Sequence, residues 1–131
     1  MTRYLLDTDA LIDFSKRREP AFSHILSWID TGDTLAACAV TVAEFYAGLS
    51  SAEATSWEEF ISSLTYWHIS PQAAMQAGQD RYWFARQGKT ITAADGLIAA
   101  TAREHQAALV TGNVKDYPME DVILFPLVSS S

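Results

Sequence analysis

Cysteine is almost missing from this chain. The one thiol, Cys38, excludes an internal disulfide, and with His24, His68 and His105 scattered, no Cys/His set has zinc spacing. Long apolar runs are missing too. None approaches the roughly 20 residues of a membrane helix, and Arg3 is followed by only three apolar residues before Asp7, too few for a secretory signal. A cytoplasmic protein with no membrane partner is therefore expected. The six glycines form no G-x-G-x-x-G, no Gly-rich phosphate loop is present, and no G-x-S-x-G elbow occurs. Basic residues are few: nine Lys and Arg against 16 Asp and Glu leave a net charge of −7, which speaks against a broadly basic, nucleic-acid-coating surface. Contact with a polyanion would then depend on local groups, either Lys16, Arg17 and Arg18 or Arg81, Arg86 and Lys89. Each group reads first as a solvated helix face.

What is present is enough for a real core: 131 residues, 49% of them hydrophobic, without repeat, linker or low-complexity block. One domain spanning 1–131 is expected. Apolar runs at Tyr4–Leu6, Leu35–Val40, Tyr66–Ile69, Ala107–Thr111 and Val122–Phe125 read as short buried strands. Between them lie helical patterns. Asp9 is a candidate cap for a helix running to about Lys16. Pro20 suits the first turn of the next, with an apolar stripe of Phe22, Ile25, Leu26 and Ile29 and a terminal Gly32. Thr41 opens a helix to about Ser50, and Trp57, Phe60, Ile61 and Leu64 fall at i, i+3, i+4 and i+7. Ser70-Pro71 starts a helix that can run to Gly88, and Thr92 starts one ending near Gln106. Ser129–Ser131 is expected to fray. Strands alternating with helices imply a parallel sheet covered on both faces, an α/β architecture. Trp28, Trp57, Phe60, Trp67, Trp83 and Phe84 are read mostly as core residues.

The chemistry is carried by acids. Asp7 ends the first strand, and the crevice beyond the carboxyl ends of parallel strands is where open α/β sheets bind ligands. Thr41-Val42-Ala43-Glu44 and Thr92-Ala93-Ala94-Asp95 start two helices alike. Each is also a capping-box pattern, in which the acid serves only its own helix end. Helix phase separates the readings. Asp95 shares a face with Ile91, Ile98, Ala99 and Ala102, and an acid aimed at the core side needs compensation of its charge. Glu44 lines up with Ala47 and Gly48, small residues suited to close packing on the sheet. Thr111, Asn113 and Asp116 follow a strand at the same edge, where turn chemistry alone also explains them. Crowded carboxylates repel, so acids converging there predict a cation, and an all-oxygen donor set suits Mg²⁺ or Mn²⁺.

Leu5–Asp13, Thr41–Glu44 with Gly48, Thr92–Ala100 and Leu109–Tyr117 resemble, in order and spacing, the four motifs of PIN-domain nucleases, and the overall length is similar to that of VapC-type toxins. The resemblance implies a PIN-like three-layer α/β/α sandwich around a mostly parallel sheet. It implies Asp7, Glu44 and Asp95 as metal-binding acids, with Asp116 as a further catalytic acid and Thr8, Thr111 and Asn113 steadying ligands or water around them. It also implies an Mg²⁺-dependent endoribonuclease (Mn²⁺ as substitute), an RNA substrate, a cognate antitoxin protein and a homodimer. Two departures stand out. Asp9 stands where many members have Asn or Ser, and Asn113 stands at a position that is often a fourth acid.

Two other readings fit parts of the pattern. In a haloacid-dehalogenase-like phosphohydrolase Asp7 would be the nucleophile and Asp9 the acid. That pattern wants Thr or Val where Leu11 stands. In a non-catalytic partner-binding module both Thr-x-x-acid segments would serve only as caps.

Overall fold

The computed structural model describes residues 1–128; the Ser129–Ser131 tail, expected to fray, lies outside them. Five short strands, β1 (Arg3–Leu6), β2 (Thr34–Cys38), β3 (Thr65–Trp67), β4 (Ala108–Thr111) and β5 (Leu124–Pro126), form one sheet in the order β3-β2-β1-β4-β5. Every pairing is parallel, with Leu5 beside Ala36 on one side and Leu109 on the other. Parallel strands are buried on both faces and read as apolar runs rather than alternating ones, which is why Leu5, Leu6, Leu109 and Val110 are all fully enclosed.

Six helices cover the two faces: α1 (Thr8–Ser15), α2 (Ala21–Thr31), α3 (Ala39–Ala47), α4 (Ser51–Ser63), α5 (Pro71–Ala85) and α6 (Ala93–Glu104). Leu6, Leu35 and Val110 point to one face, against Leu11 and Phe14 of α1, Ile25 and Trp28 of α2 and Phe45 of α3. Leu5, Ala36 and Leu109 point to the other, against Ile98, Ala99 and Ala102 of α6. The α5 helix packs outside α6 through Ala73, Ala77 and Ala100, and at Gly96 a Cβ would sit 3.3 Å from that of Ala77, so the glycine sets the close approach. The expected α/β/α sandwich is what forms. Among the described residues no helix is long and apolar enough to cross a membrane.

Several local expectations are corrected. Asp9 does not cap α1: Asp7 is the cap, accepting the Thr8 N–H at 2.8 Å, and Asp9 lies in the first turn. The α3 helix starts at Ala39, two residues before Thr41, and ends at Ala47 rather than near Ser50. A separate capping box, Ser50 with Glu53, starts α4. On α2 the inward face is Ala21, Ile25 and Trp28, leaving Leu26 and Ile29 at its exposed margins. The α5 helix ends at Ala85 and turns Trp83 outward to 63% exposure, so that tryptophan is no core residue.

Candidate active site

The chain leaves β1 for β2 on one side, while β4 and β5 lie on the other, so the strand order reverses between β1 and β4. Parallel sheets open a crevice at such a reversal, beyond the carboxyl ends of the two strands. Asp7 follows β1 and Thr111 ends β4, which places both at its floor. A cavity of about 260 Å³ opens there, lined by Asp7, Thr8, Asp9, Ile12, Glu44, Asp95, Asn113 and Asp116. Neither basic group singled out in the sequence contributes to its lining. Arg81 instead donates to the Ile91 carbonyl at 2.8 Å, and Arg86 lies over the Tyr82 ring.

Each acid arrives by a different route. Asp7 is buried at 7% exposure and takes three donors. The Thr8 N–H reaches Oδ1, while the Thr111 hydroxyl at 2.8 Å and the Tyr117 hydroxyl at 2.9 Å share Oδ2. The direction of the Thr111 bond is fixed, because the Asn113 N–H donates into that hydroxyl at 3.0 Å. Glu44 is exposed and accepts from the Thr8 hydroxyl at 2.7 Å. It caps nothing: Thr41 sits in the first turn of α3, where its Oγ1 accepts the Cys38 N–H at 3.1 Å. The small residues beside Glu44 also face solvent, and Thr41 and Phe45 make the contact with the core instead. At α6 the cap is Thr92, whose hydroxyl accepts the Asp95 N–H at 3.1 Å. The Asp95 carboxylate is half-buried at the head of the Ile98–Ala99–Ala102 face and accepts from Tyr117 at 3.3 Å.

Tyr117 was not singled out by the sequence, and Asp9 was weighed only as the acid of the phosphohydrolase reading and as a departure within the first motif. Asp9 Oδ2 accepts from the Gly112 N–H at 2.6 Å and the Asn113 amide at 3.2 Å, while its Oδ1 is buried without a partner. The closeness of Gly112 is the available signal, since a Cβ there would lie 2.8 Å from Asp9 Oδ2. Asn113 and Asp116 are exposed on the cavity rim, Asn113 just before and Asp116 at the end of a single 3-10 turn, Val114–Asp116.

The electrostatics are those of acids wanting a cation. Burial raises Asp7 above the usual carboxylate range, against the pull of its three donors, and Glu44 raises it further. Burial and the Asp7 charge lift Asp9 to about 6. Burial also raises Asp95, with Asp116 and Asp7 adding repulsion. No three carboxylate, imidazole or thiolate groups among the described residues are drawn in tightly enough to hold an ion as they stand. The donor chemistry fits a hard divalent cation: only oxygens, one of them an orphaned buried carboxylate oxygen.

The model of the PIN domain matches residues 4–116. The chain belongs to the PIN-domain family. Within it, the chain is similar to ribonuclease VapC2 of Haemophilus influenzae, 32% identical over 123 residues that cover 89% of this chain and 91% of the relative. Its fold matches VapBC2 from Rickettsia felis bound to a promoter DNA fragment, with a TM-score of 0.81, 24% identity and coverage of 95% and 98% of the two chains. It also matches a DNA-bound VapBC from Salmonella typhimurium, with a TM-score of 0.80, 25% identity and coverage of 98% and 100%. The segments Leu5–Asp13, Thr41–Glu44, Thr92–Ala100 and Leu109–Tyr117 each contribute residues to the lining of the one cavity.

Proposed function

We propose that this PIN-domain protein is an Mg²⁺- or Mn²⁺-dependent endoribonuclease, the toxin of a toxin–antitoxin pair, acting as one nuclease domain over residues 1–131. The observation that carries the reading is five acids from four separate segments lining one small cavity at the strand-order reversal. The ribonuclease relative supports the reaction, and the VapBC neighbours support an antitoxin partner. A homodimer belongs to the same reading.

Asp7, Glu44 and Asp95 are the residues that would hold the ion, with Asp116 at the rim. A bound divalent cation supplies positive charge that makes water a better nucleophile and offsets charge building on a phosphodiester. The protein's own part is positioning. The hydroxyls of Thr111 and Tyr117 fix the Asp7 carboxylate from below, and the Thr8 hydroxyl steadies Glu44 from the neighbouring helix. Asn113 serves the loop, donating its N–H to Thr111 and its amide to Asp9. Asp116 is free at the mouth, where it can orient water or the scissile group.

The test uses purified protein, a mixed RNA substrate and Mg²⁺. Cleavage is expected in the wild type and lost by at least about 100-fold in Asp7→Asn, with the fold unchanged by circular dichroism. Equal cleavage by the two proteins would end the proposal.

A further inference from the structure

We propose that Tyr117 is a positioning residue whose hydroxyl clamps Asp7 and Asp95 at one spacing for the entering cation. This rests on the metal-dependent reading above and adds a residue to it. The Tyr117 side chain is 2% exposed, packed in the core between sheet and α6 with Leu109, Ile98 and Met119. Its hydroxyl meets the cavity through the acids that line it. That hydroxyl lies 2.9 Å from Asp7 Oδ2 and 3.3 Å from Asp95 Oδ1, joining acids at the carboxyl end of β1 and the first turn of α6. Among the described residues no other side chain bonds both.

The chemistry of the contact is asymmetric. Two carboxylates repel, and a single phenolic proton between them is the one neutral group that attracts each. Burial and the two acids push the phenol far above its ordinary range, so it stays a donor at every working pH. Asp7 Oδ2 is filled by Thr111 and Tyr117, whereas Oδ1 has only the Thr8 N–H. The clamp thereby turns a lone pair of Oδ1 outward instead of letting the carboxylate rotate. A ring fixed by packing is a better fulcrum than a mobile serine or lysine. Tyr117 touches the acids rather than substrate, so its role is exerted through them. Partners of this kind commonly change metal affinity 10- to 100-fold, by about that range in other sites.

The experiment is Mn²⁺ titration by calorimetry at neutral pH on wild type, Tyr117→Phe and Thr111→Val, with circular dichroism on each. The expected result is a folded Tyr117→Phe protein that binds Mn²⁺ at least about 10-fold more weakly. Thr111→Val is expected to lose less, because Thr111 bonds Asp7 and not Asp95. Affinity of Tyr117→Phe within twofold of wild type overturns the clamp, as does an equal loss in both variants, which would make the effect a property of Asp7 alone. A wild type that binds no Mn²⁺ removes the metal reading itself, a distinct failure. Should Tyr117→Phe not fold, wild-type protein labelled with ¹³Cζ-tyrosine gives the answer by NMR. The tyrosine resonance that resists ionisation is expected to shift as Mg²⁺ is added, and one that stays fixed at saturation overturns the proposal.

Discussion

Asp9 is held by one oxygen and left alone at the other. Oδ2 takes the Gly112 N–H and the Asn113 amide, and Oδ1 is buried without a donor. Its pKa stands at about 6, against an ordinary 3.8, because of burial and the Asp7 charge. The folded protein therefore binds this proton more tightly than the unfolded chain. Between about pH 4 and pH 6 the folded state carries the extra proton, so Asp9's contribution to stability falls as pH rises through that window. Asp9→Asn, which mimics the protonated form, is expected to match wild type near pH 4 and to exceed it above pH 6. Discounted for the water that still reaches the side chain, the gain is about 1 kcal/mol. Urea unfolding of both metal-free proteins at pH 4, 5, 6 and 7 measures it, and a difference that does not change with pH would refute the assignment. None of this was legible beforehand. In the sequence Asp9 is a helix-start acid whose partners cannot be read, and Tyr117 is one aromatic among fifteen; only the folded chain brings a hydroxyl from position 117 against a carboxylate at position 7.

Helix starts were legible at Ser70 and Thr92, which cap α5 and α6 as expected, and α3 shows where the reading fails. Thr41-x-x-Glu44 has the spacing of a capping box, and local spacing cannot tell a cap from a first-turn residue two positions on. The apolar run through Val40 decides it: Ala39 and Val40 are already helical, and Thr41 reaches back to the Cys38 backbone from inside. That two-residue displacement turns Glu44 away from its own helix end and towards Thr8 of α1. Thr41 is fully buried, with its hydroxyl donating to the Cys38 carbonyl as well. Thr41→Val keeps the shape and removes both bonds, so a loss of about 1–2 kcal/mol is expected, with Thr41→Ser recovering most of it. Chemical denaturation checks this, and a Thr41→Val protein as stable as wild type would show that the bonds contribute nothing. The inner strands β1, β2 and β4 were easier, because their burial leaves mostly apolar positions, although the run expected to reach Val40 ends at Cys38. Their order was not written in any run, yet parallel alternation together with helix phase was enough to point Asp7, Glu44 and Asp95 towards one edge. For the candidate site this was sufficient to bring Asp7, Glu44 and Asp95 to one cavity, and insufficient to find the residues that hold them there.

At the scale of the whole molecule the proposed function sets a net charge of −7 against a polyanionic substrate. The chain's acids are not evenly spread. Asp7, Asp9, Glu44, Asp95 and Asp116 meet around one cavity, where they repel one another and where a cation would relieve that repulsion. An ion that binds only the folded state stabilises it by mass action, about 2.7 kcal/mol at a hundredfold excess over Kd. For a chain of this size that corresponds to a rise in Tm of about 10 °C. Screening gives a different result: sodium chloride weakens repulsion between exposed charges over the whole surface and acts little on buried ones. Thermal unfolding is therefore expected to shift strongly with millimolar Mn²⁺ and weakly with sodium chloride of equal ionic strength. Asp7→Asn should abolish the Mn²⁺ shift while leaving the small salt effect in place. Equal responses to the two salts would mean diffuse counterions rather than coordination, and would leave the acidic cleft without its proposed ion.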